Sequence, residues 1–70
     1  MTDREWLARF AQALGAPAPT EEELDWILRL AGVAAHASAR PAAPVACWMA
    51  GRAGVPLDRA IAVAGEVAPE

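Results

Sequence analysis

Apolar residues recur at helical spacing along nearly the whole chain, and two of the stretches open with the same polar signature. Thr2 with Glu5, and Thr20 with Glu23, are capping boxes, in which each side chain reaches the other residue's free backbone N–H. Behind the first, Trp6, Phe10 and Leu14 fall at i, i+4 and i+8 with Leu7 and Ala11 beside them. That spacing predicts a helix over residues 3–14 with one apolar stripe facing a core. Gly15 is placed to end it in the left-handed conformation, and Ala16-Pro17-Ala18-Pro19 makes a short, stiff linker.

The second capping box opens a helix over residues 21–37, with Glu21, Glu22 and Glu23 where the helix dipole favours negative charge. Leu24, Ile27, Leu28, Ala31 and Ala35 form one apolar face; Trp26, Leu30, Val33 and Ala37 form a second. Only Glu22, Asp25 and Arg29 keep a polar strip, so this helix is expected to be central, or to face a partner as well as its own core.

Pro41 and Pro44 suit a first helical turn, where backbone N–H groups lack intrahelical partners. They predict a third helix over residues 42–51, carrying Val45, Trp48, Met49 and Arg52, with Gly51 and Gly54 bracketing its end. Pro56 opens a fourth over residues 56–67, striped by Leu57, Ile61 and Ala64 with Ala60, Val63 and Val67, and Pro69 stops it. No run alternates like a strand. The expectation is an all-α domain spanning residues 1–70, a compact bundle of four short helices.

Composition narrows the function classes. The chain has 70 residues, and 19 of its apolar ones are Ala, which leaves large side chains for one small core. Six Arg and no Lys against nine acids give a net charge of −3, which argues against a nucleic-acid partner that must neutralise phosphates. One Cys excludes an internal disulfide, and one Cys with one His is too few for an ordinary zinc site, so no metal or cofactor is expected. The least polar stretch, Leu30 to Gly51, is broken by Arg40, Pro41 and Pro44 and is a poor membrane span. The start lacks the basic and apolar regions of a secretory signal, so a soluble cytoplasmic protein is expected.

Two groups of residues carry candidate chemistry. His36 and Arg40 stand four apart at the corner between the second and third helices. With the N–H groups of Ala42 and Ala43 and the helix dipole, they form a candidate anion-binding site; the more ordinary reading is that both cations cap the second helix. The second face of the second helix, with Trp26, Leu30 and Val33, is a candidate partner surface, Trp26 serving either as an anchor or as core filling. Trp6 and Trp48 read as core. Cys47, in an apolar run without an acidic neighbour to orient a base, reads as a buried inert thiol and not as a nucleophile paired with His36.

The segment from Ala35 to Gly51 resembles a small actinobacterial helical domain family of unknown function (DUF6457-like). The resemblance rests on Ala35-His36, then Arg40-Pro41-Ala42-Ala43-Pro44, then an apolar helix ending at Gly51, with Glu5-Trp6-Leu7 and Leu14-Gly15 similar to the family's first helix. The chain departs from the pattern at Ala39, where the family carries a charge, and at Cys47 and Trp48, where it carries aliphatic residues and Phe. Members of that family occur alone or joined to molybdenum-cofactor guanylyltransferase-like proteins. The resemblance implies a non-catalytic accessory or interaction module beside molybdopterin nucleotide attachment, contacting a nucleotidyltransferase or a cofactor-insertion factor. No Gly-rich loop, P-loop Lys or magnesium-binding carboxylate pair is present to do that chemistry itself. The alternatives are a small anionic-ligand binder at the His36–Arg40 corner, or a self-associating domain whose homodimer contact runs through Trp26.

Overall fold

A computed structural model describes residues 1–67; Pro69, expected to stop the last helix, lies outside the described residues. The chain is all-α, a compact bundle of four short helices: α1 (Asp3–Leu14), α2 (Glu21–Ala37), α3 (Ala42–Ala53) and α4 (Leu57–Glu66). No strand occurs among the described residues.

Both capping boxes form. Thr2 Oγ1 accepts from the Glu5 N–H at 3.1 Å while Glu5 Oε1 accepts from the Thr2 N–H at 3.3 Å. At α2 the same exchange joins Thr20 and Glu23 at 3.0 and 2.8 Å. Gly15 ends α1 at φ 72°, and the Ala16 N–H reaches back to the Ala11 carbonyl.

Two ends differ from expectation. The third helix runs past Gly51 to Ala53, because Gly51 takes an ordinary helical φ and it is Gly54, at φ 68°, that turns the chain. Pro56 precedes α4 instead of opening it: its ψ of 142° is extended, and its carbonyl accepts the Ala60 N–H, so Leu57 is the first helical residue.

The helix α2 is central, as its apolar circumference implied, and both α3 and α4 pack along it. The inward line of α2, however, falls between the two expected faces. Leu30 is the most buried residue of the core at 3% exposure, with Leu24 beside it, whereas Leu28 is 57% exposed. Leu30 was expected to stay accessible on a partner face; it lies instead under α3 and α4, each of which packs along α2.

The inward faces of α3 and α4 are built largely from alanines. Ala43, Ala46, Ala50, Ala60 and Ala64 are buried or half-buried, while Val45, Trp48, Met49 and Val63 point to solvent. Small side chains let helix backbones approach closely, which leaves the large ones outside. Helix α1 shows the same inversion. Ala11 is its buried residue, and the stripe expected to face the core, Trp6, Phe10 and Leu14, is exposed, with the Trp6 and Phe10 rings stacked 5.0 Å apart. Neither Trp6 nor Trp48 is core. The chain accordingly exposes 5471 Å², where a folded monomer of its mass exposes about 4,200 Å².

Candidate functional site

The corner between α2 and α3 is held by Ser38. Its N–H and its hydroxyl both donate to the Ala34 carbonyl, at 3.2 and 3.0 Å, closing the last turn of α2. The Ala42 and Ala43 N–H groups donate to the carbonyls of Ala39 and Arg40, each at 3.0 Å, in a tight turn that leads into α3. The two donors assigned to an anion are therefore engaged by the backbone. His36 and Arg40 are exposed, and among the described residues neither side chain makes a hydrogen bond or ion pair, so neither of them caps α2. Because α2 stops at Ala37, Arg40 sits in the turn and does not share a helical face with His36.

The residues of the expected partner face separate. Trp26 is half-buried, with the Arg29 guanidinium 5.3 Å from its ring centre, and borders a depression shared with Cys47, Gly51 and the α3–α4 turn. Val33 is half-buried toward Ala64 and Gly65 of α4, and Leu30 is core. These three residues do not form one accessible patch.

Besides the α1 stripe and Leu28, two other surfaces carry exposed apolar side chains. The first is the outer face of α3, where Val45, Trp48 and Arg52 share one side and the Arg52 guanidinium lies 5.1 Å from the Trp48 ring centre. Trp48 is 62% exposed. The second is a groove of about 470 Å³ between α3 and α4, with Leu30, Ala46, Ala50 and Ala60 among its lining and Met49, Val63 and Val67 exposed along it. Among the described residues, Arg59 is its one charged lining residue. The sequence held a signal for both: on α3 and α4 the alanines repeat at three and four residues, and a stripe that small marks the side against a neighbouring helix.

Cys47 is half-buried, and its thiol donates to the Ile27 carbonyl of α2 at 3.6 Å. Desolvation there pushes its pKa above the ordinary thiol value, which keeps it protonated and a poor nucleophile. Among the described residues no group of three His, Cys, Asp or Glu side chains could hold a metal ion, and no helix is long and apolar enough to cross a membrane.

Comparison with known proteins adds one match. No curated protein and no solved structure matches the chain. One family model matches residues 2–68, nearly the whole chain. The chain therefore belongs to the family described as a domain of unknown function, DUF6457.

Proposed function

We propose that the domain is a non-catalytic interaction module that docks on a protein partner through the outer face of α3. The observation that carries this reading is Trp48, a large aromatic side chain left 62% exposed on a helix whose opposite side packs on α2. Tryptophan and arginine are the residue types most enriched where binding energy concentrates, and here they are pre-stacked on one another. An ordered pair gives up less conformational freedom on binding than two loose side chains do.

The resemblance of the Ala35–Gly51 segment to domains joined to guanylyltransferase-like proteins supplies the partner: an enzyme of molybdopterin guanine dinucleotide synthesis, or a factor that inserts that cofactor. On this reading the partner does the nucleotidyl transfer, and the module positions it.

Titration calorimetry of the purified chain against the molybdenum-cofactor guanylyltransferase of the same organism tests this. Binding is expected, and Trp48→Ala should weaken it by at least ~2 kcal/mol, roughly 30-fold, as a central aromatic anchor does. The chain alone should transfer no nucleotide. Absence of binding, or binding indifferent to Trp48→Ala, would refute the proposal.

A further inference from the structure

We infer that the partner met by the outer face of α3 is an acidic protein surface, a reading that rests on the docking role of Trp48 and names the chemistry of what docks there. Carboxylates of that partner engage Arg52, beside Trp48, and Arg40, at the start of the helix. The charges of the chain are unevenly placed. It carries nine acids, yet none stands between Asp25 and Asp58, a run that holds all of α3 together with Arg29, His36, Arg40 and Arg52. Six of the nine lie on α1 and the first half of α2.

Four of the six arginines have an acid within four residues along the chain: Arg4 after Asp3, Arg9 after Glu5, Arg29 after Asp25 and Arg59 after Asp58. Arg40 and Arg52 have none. Of the four helices, α3 alone lacks an acid in its first turn. Both side chains are exposed, and the ion pairs and guanidinium hydrogen bonds among the described residues all belong to Arg4. Glu22, Glu23 and Asp58 line the depression at Cys47 and Gly51 that borders this face, and none of them pairs with Arg52.

The face pairs these cations with an apolar line. Pro41, Val45, Trp48 and Arg52 fall at i, i+4, i+7 and i+11, are all exposed, and run about 16 Å along the helix. The Arg52 guanidinium is held against Trp48 while its N–H donors stay unused, and a carboxylate takes such donors two at a time. A nucleic acid or an anionic membrane fits less well, because it presents a broad field of phosphates. The six acids of α1 and α2 and the net charge of −3 repel such a field, and two arginines offer it few neutralising contacts. A protein surface with a few carboxylates around an apolar socket matches both parts of the face.

Stopped-flow association of the full chain with the same guanylyltransferase tests this, across sodium chloride from about 50 to about 500 mM. The association rate should fall steeply with salt. Arg40→Glu and Arg52→Glu should each slow it about 10-fold more than Arg9→Glu, which changes the net charge equally but lies on α1. If a reversal costs helicity, Arg40→Gln and Arg52→Gln replace it. The chain has no Lys, so Arg52→Lys sets its one side-chain amine on this face. Carbodiimide, which joins amines to carboxylates, should then link position 52 to an Asp or Glu of the enzyme, located by mass spectrometry. Binding that needs Trp48 but ignores salt and both arginines overturns the acidic partner and keeps the docking role. Equal slowing by all three reversals overturns it too, as does a complex with no link at position 52. A DNA duplex or phosphatidylglycerol vesicles bound more tightly than the enzyme at equal salt would assign the face to phosphates and overturn it as well. No binding of the enzyme at all overturns the docking role itself.

Discussion

Arg52 lies over the indole of Trp48, its guanidinium carbon 5.1 Å from the ring centre, one helical turn further along α3. Both side chains stand outside the core. Trp48→Ala should therefore leave thermal stability within about 0.5 kcal/mol of wild type, the range of surface substitutions. A thermal melt beside the binding titration distinguishes this from a core role, for which truncating a tryptophan costs ~3–5 kcal/mol.

Leu30 is the opposite case. At 3% exposure it sits under α3 and α4 at the floor of their groove, and Leu30→Ala removes the best-buried side chain of the described residues. Such truncations cost ~2–5 kcal/mol, and a domain this small holds only about 3–5 kcal/mol from its core. The expected outcome is a chain that is largely unfolded at room temperature, read by circular dichroism and urea titration. A cooperative melt close to wild type would show that Leu30 is not the keystone of the α2 packing.

Why the helices were legible and their facing was not follows from these two residues. Thr2–Glu5, Thr20–Glu23, Gly15 and Pro41 act within one turn of chain, so their consequences can be read without knowing what lies across the bundle. Which side of a helix turns inward depends on its neighbours. Helix α2 is apolar on two sides, and both readings of it were partly displaced: Leu28 from the expected core face is exposed, and Leu30 from the expected outer face is buried. On α1 and α3 the large side chains drew the expectation inward, while the sheltered positions are Ala11, Ala46 and Ala50. At the His36–Arg40 corner the reason is more local. Ser38 and the turn carbonyls had already taken the hydrogen bonds assigned to it.

Cys47 gives a pH-dependent expectation. Burial against α2 raises its pKa, so the folded state favours the protonated thiol that donates to the Ile27 carbonyl. A group whose folded pKa is raised contributes stability that is fully present below the unfolded thiol's pKa and is lost as pH rises through the folded one. Stability should thus fall on the alkaline side of the ordinary thiol range, and Cys47→Ser should flatten that fall. At neutral pH, iodoacetamide should label native Cys47 more slowly than it labels the chain in urea. Equal rates in both would mean that the thiol is not sheltered by α2.

The two capping boxes should not be worth the same. Each Thr accepts one otherwise free backbone N–H, and replacing such a cap with Ala costs about 1 kcal/mol. Thr20 serves the helix on which α3 and α4 pack, so Thr20→Ala should lower global stability by about that amount. Thr2 serves α1, the least supported of the four, so Thr2→Ala should loosen that helix while barely moving the global melt. Amide hydrogen exchange reads the difference directly: faster exchange confined to residues 3–14 in the first-helix variant, spread through the bundle in the other. Equal losses of global stability would instead make α1 part of one cooperative unit with α2.

Gly51 and Gly54 stand three residues apart, and the same substitution at each should have opposite signs. Gly51 lies inside α3 with ordinary helical φ, and a Cβ there would meet nothing within 4 Å. Alanine at an exposed helix interior is favoured over glycine by about 0.8–1 kcal/mol, partly because it restricts the unfolded chain. Gly51→Ala should therefore raise stability by about that much. Gly54 also has open space around its Cβ position, but its φ is 68°. There the obstacle is the backbone itself: an L-residue held in the left-handed region costs roughly 1–2 kcal/mol. The turn depends on that conformation, since it brings the Gly54 and Val55 N–H groups back to the carbonyls of Gly51 and Ala50 and directs the chain into α4. Gly54→Ala should destabilise by about the same 1–2 kcal/mol. Urea titrations of both variants decide the matter. If both change stability in the same direction, the end of α3 is not set by the left-handed glycine as described.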